Sequence, residues 1–228
     1  MTARIVVATP HARYLGLIER LRVRPDIEVM AVRSRDELDP AAIAAFEPDY
    51  VFFPHWSWKI PAEVYERFET VIFHMTDLPY GRGGSPLQNL IKRGHDETML
   101  TALRCVEALD AGPIYQKRPL SLLGTAEAIF GRAADLMEEM IVEIVERRPE
   151  PIPQEGQVVT FKRLKPDDGE LSTASSLEEA YDMIRMLEAD GYPRAFVTAA
   201  KFRIEFSGAS LTGDGIIAEV RIRRTDDA

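Results

Sequence analysis

Residues 4–33 read RIVVATPHARYLGLIERLRVRPDIEVMAVR, and the fold turns on how that stretch is punctuated. Arg4 to Thr9 is a β-branched apolar run closed by Pro10, which reads as a strand buried on both faces. Leu15, Leu17, Ile18 and Leu21 then recur at helical spacing, and Ile27 to Arg33 reads as a second strand. A strand, a helix and a strand in direct succession describe a parallel crossover unit. The pattern continues downstream. Asp39 caps a helix begun by Pro40 and continued by AAIAAF. Tyr50 to Phe53, ended by Pro54, is a third strand, Ala62 to Phe68 a short helix, and Thr70 to His74 a fourth strand. The alternation implies an α/β fold: an open, mostly parallel, Rossmann-like sheet with helices on both faces.

Beyond His74 the spacing predicts a helix over Ser85–Lys92, capped by Ser85 with Pro86 in its first turn, and a strand over Thr98–Val106. Ala126 to Arg147 is amphipathic, with Ile129, Ala133, Leu136, Met140 and Ile144 on one face. Pro149, Pro151 and Pro153 end it and form a linker. A smaller α+β module follows: a strand near Val158–Lys162, a helix over Leu177–Ala189 capped by Ser175 or Ser176, and strands at Phe196–Thr198, Lys201–Phe206 and Ile216–Arg223. The expected organisation is an α/β domain over residues 1–150 and an α+β extension over 151–228.

Composition narrows the function. Asp and Glu number 37 against 28 Lys and Arg, a net charge of −9 in 228 residues. A protein that mainly grips phosphate backbones needs the opposite balance. One cysteine leaves no disulfide framework and no Cys-cluster zinc site. No run approaches the roughly 18 apolar residues of a membrane span, and the start Met1-Thr2-Ala3-Arg4-Ile5 lacks a signal-peptide layout. A soluble, cytoplasmic protein is expected.

The chemistry-bearing stretch is His74-Met75-Thr76-Asp77-Leu78-Pro79-Tyr80-Gly81-Arg82-Gly83-Gly84-Ser85-Pro86-Leu87-Gln88. A histidine ends an apolar strand, where open α/β sheets place their ligands, and a glycine-rich loop runs into a helix. A second stretch, Leu109-Asp110-Ala111-Gly112-Pro113-Ile114, places an aspartate in a turn after a strand. Taken singly, each also suits a structural reading: a satisfied core histidine, and an Asx-turn aspartate. The loop carries no phosphate cradle of the GxxxxGK[ST] type. No two candidate ligands share a metal-ligand spacing, so no metal is expected. Cys105, inside an apolar strand, reads as a small buried hydrophobe.

Together the two stretches resemble the folate-dependent formyltransferases. The matching pattern runs His-x-[ST]-x-Leu-Pro-x-x-Arg-Gly-x-x-Pro-[IL]-Gln, Glu97-Thr98, then Leu-Asp-Ala-Gly-Pro-Ile. Lys162-Arg163-x-Lys165-Pro166-x-Asp168-Gly169, Ile184-Arg185-x-Leu187 and Tyr192-Pro193-x-Ala195-Phe196 look like the segments that follow the catalytic domain in methionyl-tRNA and nucleotide-sugar formyltransferases. The resemblance implies that an amine attacks the formyl group of 10-formyltetrahydrofolate, with no covalent enzyme intermediate. It casts His74 as the acid–base group and Asp110 as the residue that orients and charge-stabilises it. It places Trp56, Ile60 and Leu109 against the folate, and Asp77, Tyr80, Arg82 and Gly83 against the acceptor. For Arg82, a role bracing the loop is the alternative.

One position departs from the family. Formyltransferases usually carry Asn two residues before the histidine, where it helps hold the formyl oxygen; here that residue is Ile72. His55, at the end of the neighbouring strand, and Asn89, on the helix after the loop, are the candidate replacement donors. The acidic balance favours a small amine acceptor, a nucleotide-activated amino sugar, over nucleic acid. The alternatives are a methionyl-tRNA formyltransferase-like enzyme and, because of Ile72, a non-catalytic relative that binds folate or nucleotide. Exposed strands of the C-terminal module suit a homodimer.

Overall fold

The computed structural model describes residues 2–225; Met1 and residues 226–228, the outermost parts of the two expected domains, lie outside the described residues. The first crossover unit is β1 (Ala3–Ala8), α1 (Leu15–Arg22) and β2 (Ile27–Val32). After it come α2 (Pro40–Phe46), β3 (Tyr50–Phe53), α3 (Ala62–Tyr65) and β4 (Thr70–His74). β1 pairs in parallel with β2 and β3, and β3 with β4. Ile5, Val6, Val7 and Ala8 are all fully buried, which is why β1 shows no polar alternation. Asp39 caps α2 as expected, its carboxylate accepting from Ala41 N at 2.9 Å.

Downstream the elements are β5 (Tyr80–Gly83), α4 (Pro86–Ile91), β6 (Glu97–Arg104), β7 (Ile114–Ser121), α5 (Ala126–Arg147), β8 (Val159–Phe161), α6 (Leu177–Arg185), β9 (Phe196–Ala199), β10 (Phe202–Leu211) and β11 (Ile216–Arg224). The main sheet has the order β2-β1-β3-β4-β6-β7. It is mostly parallel but mixed, because β6 runs antiparallel to β4 and sets His74 opposite Thr101. β9, β10 and β11 form the antiparallel sheet expected near the C-terminus.

Three local differences have physical reasons. β5 lies inside the glycine-rich loop, where Gly81 and Gly83 mask its strand character, and it pairs with β8. β7 reads IYQKRPLS, too polar to stand out and carrying Pro119 within it; it sits at the end of the sheet order, where a proline is tolerated. Ser85 does not cap α4 with its side chain. It adopts a left-handed backbone, φ 49°, and its Oγ accepts from Leu164 N at 3.0 Å.

The described residues divide into two compact units, one of residues 1–83, 99–120 and 130–160 and one of 84–98, 121–129 and 161–228. This differs from a single cut at 150/151, because two earlier segments group with the C-terminal residues. The second unit's own bonds explain the grouping. Gly84 N donates to Phe161 O at 3.2 Å, and Gln88 Nε2 to Met186 O at 3.2 Å. Arg185, a buried cation, donates to Leu122 O at 2.5 Å, to Gly124 O at 3.0 Å and to Asp182 at 2.6 Å. Gly84 is required in this arrangement, since a Cβ there would stand 2.6 Å from Arg163 Cβ and 2.7 Å from its Cα. Among the described residues, no helix is long and apolar enough to cross a membrane.

Candidate active site

Thr70, Ile72 and His74 share one face of β4 by strand alternation. His74 is buried at the strand's carboxyl end. Thr101, its partner on β6, donates its hydroxyl to Thr76 O at 2.7 Å and ties down the chain just past the histidine. His74 Nε2 lies 2.8 Å from Gly81 O. A carbonyl can only accept, so Nε2 carries the hydrogen, and the neutral ring keeps its lone pair on Nδ1. Nδ1 in turn faces Asp110 Oδ2 at 3.7 Å, beyond a direct hydrogen bond. Two acceptors facing each other repel unless a proton lies between them. The geometry therefore asks for an imidazolium, or for an N–H or O–H in the gap.

Asp110 is also buried and adopts a left-handed backbone, φ 51°, which aspartate tolerates better than most residues. Its Oδ2 accepts from Gly83 N at 2.9 Å. Gly112 makes this turn possible, because a Cβ there would fall 1.8 Å from Arg104 O. Gln154, from the proline linker, spans the whole arrangement. Its Nε2 donates to Asp110 O and to Gly112 O, both at 2.8 Å, and its Oε1 accepts from Arg82 Nε at 3.1 Å and Nη2 at 2.8 Å.

The structure thus brings together His74, Asp110, Gly83 and Arg82 among the residues singled out from sequence. Gly83 spends its N–H on Asp110, and Arg82 directs its guanidinium at Gln154, which fits the bracing alternative. Asp77 is ion-paired with Lys117, which also donates to Leu78 O at 2.6 Å. Tyr80 opens β5, half-buried.

Asn89, a candidate oxyanion donor, spends its amide within its own unit. Its amide nitrogen donates to Gly84 O at 3.1 Å, Ser85 O at 3.0 Å and Lys162 O at 2.9 Å, and its Oδ1 accepts from Arg93 at 2.8 Å. Two N–H groups shared among three carbonyls leave nothing for a ligand. His55 packs its ring at a tilt against His11 and Phe130, at 4.3 and 4.9 Å between centroids, with Nδ1 3.2 Å from the Tyr14 hydroxyl. Burial, then the positive fields of His11 and Arg13, push its pKa down to about 3, so the ring is neutral.

Ile72 stands in register between Phe53 and Leu103 and packs on the apolar cluster that holds Ile60, Val64 and Cys105, with Trp56 beside it. Burial and the nearby Asp110 push the Cys105 thiol up to about 11, so it stays protonated and unreactive. Trp56 makes edge contacts with Phe53 and Trp58 at 5.3 and 5.0 Å, and its indole nitrogen is buried without a hydrogen-bond partner among the described residues. Ile60 lines a cleft of about 450 Å³ with Arg35, Lys59, Pro61, Ala62, Tyr65, Glu66 and Glu107. Leu109, 71% exposed, lies in the turn before Asp110.

Fold and site together define an α/β protein with a buried His–Asp pair at the carboxyl end of a central strand. Residues 166–223 match the family described as the methionyl-tRNA formyltransferase C-terminal domain. A methionyl-tRNA formyltransferase structure from Clostridium thermocellum is 44% identical, with a TM-score of 0.95 over 97% of this chain and 99% of that one. The chain belongs to the folate-dependent formyltransferase family. The curated methionyl-tRNA formyltransferase of Bacillus cytotoxicus is 29% identical over 185 residues, 77% of this chain. The chain spans 58% of that relative's length. A 4-N formyltransferase structure from Francisella tularensis shares the fold, with a TM-score of 0.68 at 15% identity, over 87% of this chain and 93% of that one.

Proposed function

We propose that this chain moves a formyl group from 10-formyltetrahydrofolate to a primary amine, with His74 and Asp110 handling the proton. The observation that carries the reading is the 3.7 Å gap between His74 Nδ1 and Asp110 Oδ2, with Nε2 already committed to Gly81. His74 Nδ1 takes a proton from the amine as the amine nitrogen bonds to the formyl carbon, and Asp110 balances the imidazolium. The same proton returns to N10 of the folate as the carbon–N10 bond breaks, leaving tetrahydrofolate and a formamide. Acid–base help of this kind contributes about 10²–10⁴ in rate.

The folate rests on the side of Trp56 and Ile60, with Leu109 at its rim. Two features fit it there: a cleft of about 450 Å³ lined by Ile60, and a buried Trp56 N–H that lacks an acceptor. Ile72 offers no N–H to the developing oxyanion. We assign that task to His55, whose neutral ring keeps an Nε2 hydrogen when Nδ1 accepts from Tyr14. Losing such a donor costs about 10²–10³ in turnover, so unchanged kcat in His55→Ala would remove it from the mechanism.

For the acceptor, the net charge of −9 supports a small amine, a nucleotide-activated amino sugar, with Asp77 and Tyr80 facing it. Methionyl-tRNA is the second reading, favoured by the names of the Clostridium and Bacillus relatives. Tetrahydrofolate release from 10-formyltetrahydrofolate, followed with amino-sugar nucleotides and with methionyl-tRNA in parallel, separates the two. Folate binding with no release for any amine, unchanged by His74→Ala, would replace the enzyme reading with a binding role.

The partner for the second unit's sheet is a second copy of the chain. β11 is an edge strand, and Ile217, Val220 and Ile222 on it are 70, 56 and 61% exposed. Antiparallel pairing of two β11 strands about Val220 sets Glu219 of each copy opposite Arg221 of the other, a self-complementary charge pattern. Sedimentation should show a dimer that Glu219→Arg weakens and Glu219→Arg/Arg221→Glu restores. A wild-type monomer at tens of micromolar, or a double variant no better than the single, would end this assignment.

A further inference from the structure

Asp110 is held from two directions. Its side chain takes the Gly83 N–H at 2.9 Å, and its backbone carbonyl takes the Gln154 amide at 2.8 Å. Gln154 bonds the Asp110 turn and, through Arg82, the strand that carries Gly83. Its Nε2 holds the Asp110 and Gly112 carbonyls, and its Oε1 holds Arg82, the immediate neighbour of Gly83. The orientation of the amide follows from its partners: two carbonyls demand donors and a guanidinium demands an acceptor, so the reverse orientation would lose all four bonds.

Two strained or crowded features make this bracket consequential. Asp110 sits at φ 51°, a conformation that a non-glycine residue keeps only when its surroundings enforce it. Gly112 packs so tightly on Arg104 O that the turn cannot slide in that direction. Released from Gln154, the Asp110 turn is held to the Gly83 strand by its own carboxylate alone, and the 3.7 Å spacing to His74 loses one of its two supports. A misplacement of about 1 Å between reacting groups can cost about 10²-fold in rate.

We propose that Gln154 is a positioning residue for the His74–Asp110 pair, clamping the Asp110 turn to the Arg82 strand so that Oδ2 stays at working distance from Nδ1. This rests on the formyl-transfer reading above, and the test separates the two. Three forms are compared: wild type, Gln154→Met, which keeps the volume and drops every bond, and Gln154→Glu, which keeps the acceptor for Arg82 and drops the donors to Asp110 and Gly112. Formyl transfer is followed by kcat and KM with the best amine, stability by thermal melting, and the bracket by hydrogen exchange of the Gly83 amide.

Both variants should lose about tenfold to a hundredfold in kcat, with KM for the folate within about twofold and melting within a few degrees. Gly83 exchange should quicken in both, because its acceptor has moved. Gln154→Glu with wild-type kcat would overturn the proposal, since the Arg82 end alone would then suffice. So would a Gly83 amide as protected in both variants as in wild type, or losses of kcat that only follow a fall in melting temperature. If the wild type transfers formyl to no amine, the activity reading fails, while Gly83 exchange still decides whether Gln154 holds the Asp110 turn.

Discussion

Two buried polar networks in this molecule look alike in composition and differ in how completely they are satisfied. In the second unit, Asn89 and Arg185 spend their side-chain donors on neighbouring acceptors: Gly84, Ser85 and Lys162 for Asn89; Leu122, Gly124 and Asp182 for Arg185. In the first unit, His74 and Asp110 are equally buried, but one nitrogen and one carboxylate oxygen face each other across 3.7 Å, beyond a direct hydrogen bond. A closed network fixes a fold, and an open one waits for a proton. Burial and residue type alone would not separate them.

The comparison can be broken first at its open end. His74→Ala and Asp110→Ala should each lower kcat about 10²–10⁴-fold while melting close to wild type, measured by tetrahydrofolate release and thermal unfolding. A large loss of stability in either would place that residue with the structural networks. Next, Arg185→Ala should destabilise by about 3 kcal/mol, since it leaves Asp182, the buried Leu122 carbonyl and the part-buried Gly124 carbonyl without their donor. Denaturant unfolding reads this directly. Asn89→Ala should cost less, about 1–3 kcal/mol, for three carbonyls stripped of one shared amide. If Asn89→Ala instead lost turnover at full stability, its network would not be closed.

The most gradual expected effect concerns pH. His55 has a folded pKa near 3 against about 6.5 when unfolded. Between those values the unfolded chain binds a proton that the folded chain refuses, so stability falls as pH drops through that window. The contribution is at most about 1.4 kcal/mol per pH unit. His55→Phe should flatten the unfolding free energy between pH 6.5 and 4, and an unchanged slope would remove His55 as its source.

Most of the first unit was legible because its signals were local. Arg4–Thr9, Asp39-Pro40 and Ala126–Arg147 each carry their own apolar period or cap, and each folds as its period demands. The His74 and Asp110 stretches were visible as a strand-end histidine and a glycine-flanked aspartate, and the resemblance to formyltransferases joined them. What stayed hidden depends on partners distant in sequence. Nothing in Pro153-Gln154-Glu155 marks Gln154 as a brace, because its four bonds go to Arg82, Asp110 and Gly112. Ser85 had the residue type of a cap but spends its hydroxyl on Leu164. Asn89 looked like a donor in a functional loop until its three carbonyls were counted. Side-chain chemistry proposes a role, and the competing acceptors within reach decide it.

The second unit is assembled from residues 84–98, 121–129 and 161–228. During synthesis, the first of these segments leaves the ribosome long before the residues that accept its hydrogen bonds, such as Lys162 and Met186, have been made. The early strands β1 to β4 can pair in the nascent chain, whereas Gln88 and Asn89 must wait. A chain interrupted near residue 150 would leave Gln88 and Asn89 without the Met186 and Lys162 carbonyls, so one end of an early helix is finished only by residues made some seventy or more positions later.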